Sequence, residues 1–387
     1  MAICISRSPF FMIRETIETA ITRPTKKYLR YLGIKNLFGT DRTKQILKVN
    51  PTILPHREEA REVRTYVYDY NPHAMEEHEF RAVEPCFQFR QSNRISWINI
   101  DGIRKSDVEL ICAHYEIHPL LIEDILSIQQ RPKMDEVENV LFCLLNMLYF
   151  NEIKGTVEQE QISIVLGKDF VISFQEDASR DVFNPLRDKL RLSNSKIRQR
   201  SADYLCYSML DMIVDNYFTV MEKLGERIED LEEQVIASTN NRALARISSL
   251  RKELIVLKRN IAPVRDLLNG IIRSESELLD DRTTKYFKDV YDHIMQAYDL
   301  CENYRDVMVN MQDLYINNVN LRMNEVMKVM AIVTCLLAPA TVIGGIFGMN
   351  FDRIPYLHDK NGFYIAVVLM LIIPIYMLWL FRKRGWF

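Results

Sequence analysis

Two apolar runs toward the C-terminal end set the limits on what this chain can fold into. Val329 to Phe347 carries no charged side chain, and Phe363 to Phe381 is a second such run, reached after the short polar stretch Asp352 to Lys360. Each is about as long as a helix must be to cross a bilayer core of ~30 Å. Joined by so short a loop, the two form a hairpin across a membrane. Gly348-Met349-Asn350 then falls where the first span stops, and Asn350 reads as the mouth of an ion pathway.

Flanking charge gives the orientation. Arg382-Lys383-Arg384 closes the second span, and Arg322 and Lys328 precede the first, whereas Arg353 and Lys360 in the loop are balanced by Asp352 and Asp359. Positive charge at both outer ends predicts cytoplasmic termini and an external Asn350.

Elsewhere the chain is balanced, with 50 Lys plus Arg against 52 Asp plus Glu, which points to neither a nucleic-acid nor a strongly acidic partner. Seven scattered cysteines without a Cys-x-x-Cys pair indicate buried thiols in a reducing compartment. Residues 1–60 form a basic extension, too short and broken in its apolar start to span a bilayer; a targeting segment or a patch for anionic lipid is the sharper alternative.

From 61 to 200 the pattern predicts a cytosolic α/β domain. Thr65–Asp69, Ser96–Ile100, Leu141–Phe150, Gln161–Leu166 and Phe170–Phe174 read as strands, rich in β-branched and aromatic residues. Ser106–Tyr115 reads as a helix with Ser106 as N-cap and Glu109 closing a capping box. His118-Pro119 then breaks the chain before a short helix, Leu120–Leu126. From 201 to 278 the residues predict an antiparallel pair of long helices, Ala202–Ile236 and Arg242–Ile272, around the turn Ser238–Asn241. A stalk helix follows, cytosolic over 279–328 and membrane-spanning over 329–349. At ~1.5 Å per residue, a helix from Thr283 to Phe347 reaches on the order of 95 Å, far beyond a bilayer's thickness. Residues 350–362 form the external loop, 363–381 the second span and 382–387 a basic cytosolic tail. The fold class is an α+β membrane protein.

A stripe runs along the stalk at alternating steps of three and four. It reads Asp289, Asp292, Gln296, Asp299, Asn303, Asp306, Asn310, Asp313, Asn317, Asn320 and Asn324, then Met327, Ala331, Thr334, Ala338, Thr341, Gly345 and Gly348. The first part is all carboxylate or amide; the second is small or flexible. A repeat near 3.5 residues keeps one face toward a common axis when parallel copies supercoil. Rings of oxygen ligands on that face suit a hard cation. The plain alternatives are a solvated face below and helix packing through small residues above; one stripe running through both environments favours the pore. At Asn350 a ring of neutral amides can hold a hydrated Mg²⁺ without stripping its water and still release it. Gly348 allows close backbone approach and a turn.

These residues resemble the CorA family of divalent-cation transporters. Gly348-Met349-Asn350 stands where the family's GMN signature does, and Asn324-Glu-Val-Met-Lys-Val329 resembles its motif at the start of the first span. Glu123-Asp124, Gln130-Arg131-Pro132-Lys133, Ala202-Asp-Tyr-Leu205 and Phe287-Lys-Asp-Val-Tyr-Asp292 match further segments, so the resemblance runs from about residue 60 to the end. It implies a homopentameric funnel in a prokaryotic plasma membrane, with five stalk helices around the pore. Mg²⁺ is then the main substrate, and Co²⁺ and Ni²⁺ are also admitted. By the same resemblance Asn324, Met327, Met330, Thr341 and Asn350 line the pore, with Asp313 at its cytosolic entrance. Asp124 and Asp289 bind regulatory Mg²⁺ between subunits, joined at that interface by Glu123 and Asp211.

Departures from the family pattern are local. Where many relatives carry an acidic loop, this chain has Ile354-Pro-Tyr-Leu357, with Tyr356 in the acidic position. Ala331 and Ala338 are small for constrictions, which shifts that work to Met327 and Met330. The rival expectations are a zinc transporter of the ZntB type and a membrane-anchored sensor or scaffold that moves no ions. An enzyme is not expected: the seven histidines, among them His293, show no metal or triad spacing in sequence.

Overall fold

The computed structural model describes residues 59–128, 130–177, 180–237, 241–349, 355 and 360–386. They divide into two compact units. One holds the described residues up to 234 together with 241–310; the other holds 235–237 and the described residues from 311 onward. The expected basic extension, the turn at 238–240 and most of the 350–359 loop, Asn350 included, lie outside the described residues.

A seven-stranded sheet organises the first unit. Its strands are β1 (Arg64–Tyr70), β2 (Met75–Phe80), β3 (Ile95–Asp101), β4 (Lys133–Val137), β5 (Val140–Asn151), β6 (Thr156–Leu166) and β7 (Phe170–Gln175). They lie in the order β2-β1-β3-β7-β6-β5-β4. Every pair is antiparallel except β3 with β7. One face, with Val67, Ile98, Phe142, Leu144, Val165 and Ile172, is buried with Ile111 of helix α1 (Lys105–His114), with Leu121 and Ile125 of α2 (Pro119–Leu126), and with Phe89 of a 3-10 helix, Glu84–Gln91. On the other face Trp97 packs 5.0 Å from the Tyr68 ring and edge-on to Phe183, and its Nε1 donates to Ser173 Oγ at 2.9 Å. Arg187, on helix α3 (Asn184–Arg191), sets its guanidinium 5.3 Å over that indole and pairs with Asp181.

The five expected strands are present, each within a few residues of the span read from sequence. The missed strands β2 and β4 are the two edges of the sheet. Met-Glu-Glu-His-Glu-Phe and Lys-Met-Asp-Glu-Val carry the charge that protects an exposed edge, so no apolar alternation marks them. Helix α3 was also missed, because its apolar positions are only Leu186 and Leu190. The expected Ser106–Glu109 capping box does not form. The N-cap falls two residues earlier, at Arg104, with no side-chain cap. Ser106 donates to Asp107 Oδ1 at 3.3 Å, and Glu109 lies 3.7 Å from Lys105 one turn back. At α2 the break falls as expected: His118 Nδ1 accepts from the Leu120 N–H at 3.2 Å, and Pro119 begins the helix.

The long helices are α4 (Ala202–Ala237), α5 (Asn241–Arg273), α6 (Asp281–Phe347) and α7 (Gly362–Lys383). Asp203 Oδ2 accepts the Asp280 N–H at 2.9 Å, and Asp280 Oδ1 accepts that of Arg282 in the first turn of α6. Within the first unit α6 buries Val290, Ile294, Ala297, Cys301 and Met308, a stripe at steps of three, four and seven. In the second unit Met311 and Tyr315 continue it, and Asn318 Nδ2 donates to the Val235 carbonyl at 3.2 Å. Beyond Tyr315, Ile332 is the one described α6 side chain that is buried. At 67 residues α6 is about 100 Å long. Its apolar end and α7 are both long and apolar enough to cross a membrane and are almost wholly uncovered. Pro339 and Pro374 sit inside these two helices, where neighbouring groups can re-satisfy the freed carbonyl.

Candidate ion pathway and metal-binding cluster

Every residue of the stripe from Asp289 to Gly348 is exposed; up to Asp313 it runs opposite the buried stripe, whereas beyond Tyr315 only Ile332 among the described α6 side chains is buried. Asp313, Asn317, Asn320 and Asn324 present carboxylate and amide oxygen; Met327, Met330, Ala331, Thr334, Ala338, Thr341 and Gly345 follow, all exposed. The threonine hydroxyls donate back into their own helix, Thr334 Oγ1 to the Met330 carbonyl at 2.9 Å and Thr341 Oγ1 to that of Leu337 at 3.0 Å. Their lone pairs stay free to accept from a hydrated ion.

Gly348 and Met349 form the turn that ends the helix, with the Gly348 N–H donating to the Gly344 carbonyl at 3.0 Å. Gly348 does not take a left-handed backbone. What glycine supplies is space, because a Cβ there would sit 3.2 Å from the Gly344 oxygen.

A second arrangement joins α4 and α6 inside the first unit. Asp211 and Asp215 are one turn apart on α4, and Asp289 and His293 are one turn apart on α6. Ligand atoms of Asp211, Asp215 and His293 all lie within 4.8 Å of one another. His293 Nδ1 is buried without a hydrogen-bond partner and stands 3.7 Å from Asp215 Oδ1. Tyr207 donates to Asp211 Oδ2 at 3.4 Å. Burial pushes the Asp211 carboxyl above the usual carboxylate range, and Asp215 and Asp289 push it further. Two carboxylates and an unpartnered imidazole nitrogen form a donor set suited to a divalent cation, whose charge removes that repulsion.

The sequence reading named Asp211 and Asp289 but found no metal spacing for His293 and passed over Asp215. These residues meet only across two helices, so no spacing along either one shows them. Asp124 is placed differently. Its Oδ2 is 2.6 Å from Lys133 Nζ, and Lys133 also reaches Asp135 at 2.9 Å. Gln161 donates to the Asp124 backbone carbonyl at 3.2 Å. Glu123 beside it is exposed. Within one chain Asp124 is thus neutralised by Lys133, and neither it nor Glu123 belongs to the Asp211 cluster.

The model of the CorA-like Mg2+ transporter protein family matches residues 92–383. The chain belongs to the CorA family. It is 38% identical over 321 residues to the cobalt/magnesium transport protein CorA of Thermotoga maritima, covering 83% of this chain and 91% of that one. The structure superposes on that of the CorA magnesium transporter from Methanocaldococcus jannaschii with a TM-score of 0.70 at 23% identity, over 84% of this chain and 98% of that one. The zinc transport protein ZntB of Yersinia pseudotuberculosis is more distant, at 21% identity over 79% of this chain and 89% of its own. A CorA chain is a membrane transporter, and its apolar α6 end and α7 are the segments fitted to the bilayer.

Proposed function

We propose that this CorA chain is a homopentameric channel for Mg²⁺ influx that also admits Co²⁺ and Ni²⁺. Five copies of α6 enclose the path, Asn350 closes its outer end with both termini cytoplasmic, and Gly348-Met349-Asn350 selects the hydrated ion. The observation that carries this reading is the exposed stripe of α6, oxygen-bearing up to Asn324 and small or flexible from Met327 to Gly348. Up to Tyr315 buried residues hold the opposite side of the same helix, which leaves the stripe to face an axis there, and the same period carries it on to Gly348.

Control lies in the carboxylates. Asp211 and Asp289, with Asp215 and His293 beside them, repel when empty, and a bound divalent ion links them. Regulatory Mg²⁺ also engages Asp124 and Glu123 from a neighbouring subunit, in competition with Lys133. Several such sites, each coupling by about 1–3 kcal/mol, are enough to hold a closed state at high cytosolic Mg²⁺. His293 supports a second reading, ZntB-like zinc transport, since imidazole suits Zn²⁺ better than it suits Mg²⁺.

The test is ion flux into liposomes carrying the purified protein. The Asn350→Ala variant is expected to keep its oligomer by sizing while losing Mg²⁺ flux. Unchanged flux in that variant overturns the channel reading and leaves a sensor or scaffold. Proton-driven Zn²⁺ flux without Mg²⁺ flux in the unaltered protein replaces it with the zinc reading.

A further inference from the structure

The end of α7 is more elaborate than a frayed basic tail. Gly385 takes a left-handed backbone at φ +72, and the chain turns back there. Gly385 N donates to the Arg382 carbonyl at 3.2 Å and Trp386 N to that of Phe381 at 3.0 Å. These are the two bonds of a Schellman ending, and the apolar contact that accompanies it is present. Trp386 stacks on Phe381 with ring centroids 5.2 Å apart and planes 11° apart. One turn earlier Lys383 holds its Nζ 5.3 Å over the Trp379 ring, and Trp379 stacks on Tyr376.

The hook displays three cations between two indoles. Arg382, Lys383 and Arg384 are exposed, and none is paired with a described carboxylate. The opposite end of α7 has aromatic Phe363 and Tyr364, also exposed, and among the described residues beside it the one cation is Lys360. From Phe363 to Phe381 the helix rises about 27 Å, close to a hydrocarbon core of ~30 Å. Aromatic rings at that depth sit at headgroup level, and the cations just beyond sit among the phosphates.

We propose that this hook is a binding site for anionic phospholipid headgroups, with Arg382, Lys383 and Arg384 taking the phosphate and Trp379 and Trp386 fixing the depth. The inference rests on α7 crossing the bilayer, as proposed above. Attraction of this kind is expected to enrich anionic lipid about fivefold for each cation engaged.

The chain reports on itself, because its three tryptophans are Trp97, Trp379 and Trp386, and Trp97 is fully buried under the sheet and out of reach of lipid. The full chain is reconstituted in phosphatidylcholine vesicles containing either brominated phosphatidylglycerol or brominated phosphatidylcholine at equal mole fraction, and tryptophan quenching is measured. The anionic lipid is expected to quench with at least fivefold higher apparent affinity, falling as salt is raised. The triple variant Arg382→Gln, Lys383→Gln, Arg384→Gln is expected to lose that preference while keeping quenching by phosphatidylcholine. The charge-keeping variant Arg382→Lys, Lys383→Arg, Arg384→Lys retains it. Equal quenching by both lipids in the unaltered protein overturns the inference with membrane insertion intact. No quenching by either lipid overturns the inference together with the membrane reading on which it rests.

Discussion

Replacing Asp211 with Asn reverses sign between the ion-free and ion-bound protein. Charged atoms of Asp211 and Asp215 lie within 4.8 Å of each other and of the His293 nitrogen. At that distance two like charges repel by about 1 kcal/mol in a water-like dielectric and by several times more in a protein interior. Asp215 is exposed and Asp211 half-buried, so the smaller figure applies. Asn keeps the shape and removes the charge. The ion-free variant should therefore be more stable by about 1 kcal/mol, a rise in Tm of ~2 °C for a domain this size. With a divalent ion at a hundred times its Kd, the unaltered protein gains ~2.7 kcal/mol by mass action. Losing one of the carboxylates should weaken binding at least tenfold, which removes ~1.4 kcal/mol of that gain. Thermal unfolding of the detergent-solubilised full chain, in EDTA and then in MgCl2 or CoCl2, measures both. An unchanged ion-induced rise refutes the metal assignment. A variant less stable than the parent in EDTA refutes the repulsion.

Three further outcomes follow from the first unit. Glu160 is buried, with Oε1 accepting the N–H groups of Glu176 and Asp177 at 2.9 and 2.8 Å, and burial pushes its carboxyl up to about 7. In the unfolded chain the same group ionises near 4.5; the folded state therefore holds its proton longer, and stability falls as pH rises from there to about 7. Glu160→Gln should flatten that slope and add on the order of 3 kcal/mol above pH 7, read as urea midpoints against pH; parallel curves for the two proteins would sink the idea. Gly102 sits at φ +90, and a Cβ there would meet the Glu62 carbonyl oxygen at 2.6 Å. Gly102→Ala should cost about 2 kcal/mol or more, and a loss under ~0.5 kcal/mol in denaturant melts would show that the loop yields. Lys133→Met leaves Asp124 without its cation and should strengthen Mg²⁺-dependent protection of the full chain from protease; weaker protection would mean that Lys133 helps to build the site.

Much of this architecture is legible locally. Apolar runs reveal the two membrane-fitted helices because a bilayer demands an uninterrupted length. Alternating β-branched residues reveal the interior strands β1, β3, β5, β6 and β7, whose faces are buried. The edges β2 and β4 escape notice because their task is to carry charge, which looks like loop. Ser106, Asp107, Val108 and Glu109 have the pattern of a capping box, but the N-cap is Arg104, and the helix that follows buries Val108, Ile111 and Cys112 in the core.

By itself the sequence determined the family, the two spans and the stripe, since each is a pattern of neighbours along one segment. The tertiary structure alone decided which face of α6 is covered, and that Asp124 answers to Lys133. It alone also brought Asp215 and His293 to Asp211. The physical reason is the same in each case. A charge's behaviour depends on what stands within about 5 Å of it, and those neighbours lie on other helices and strands that the fold brings alongside.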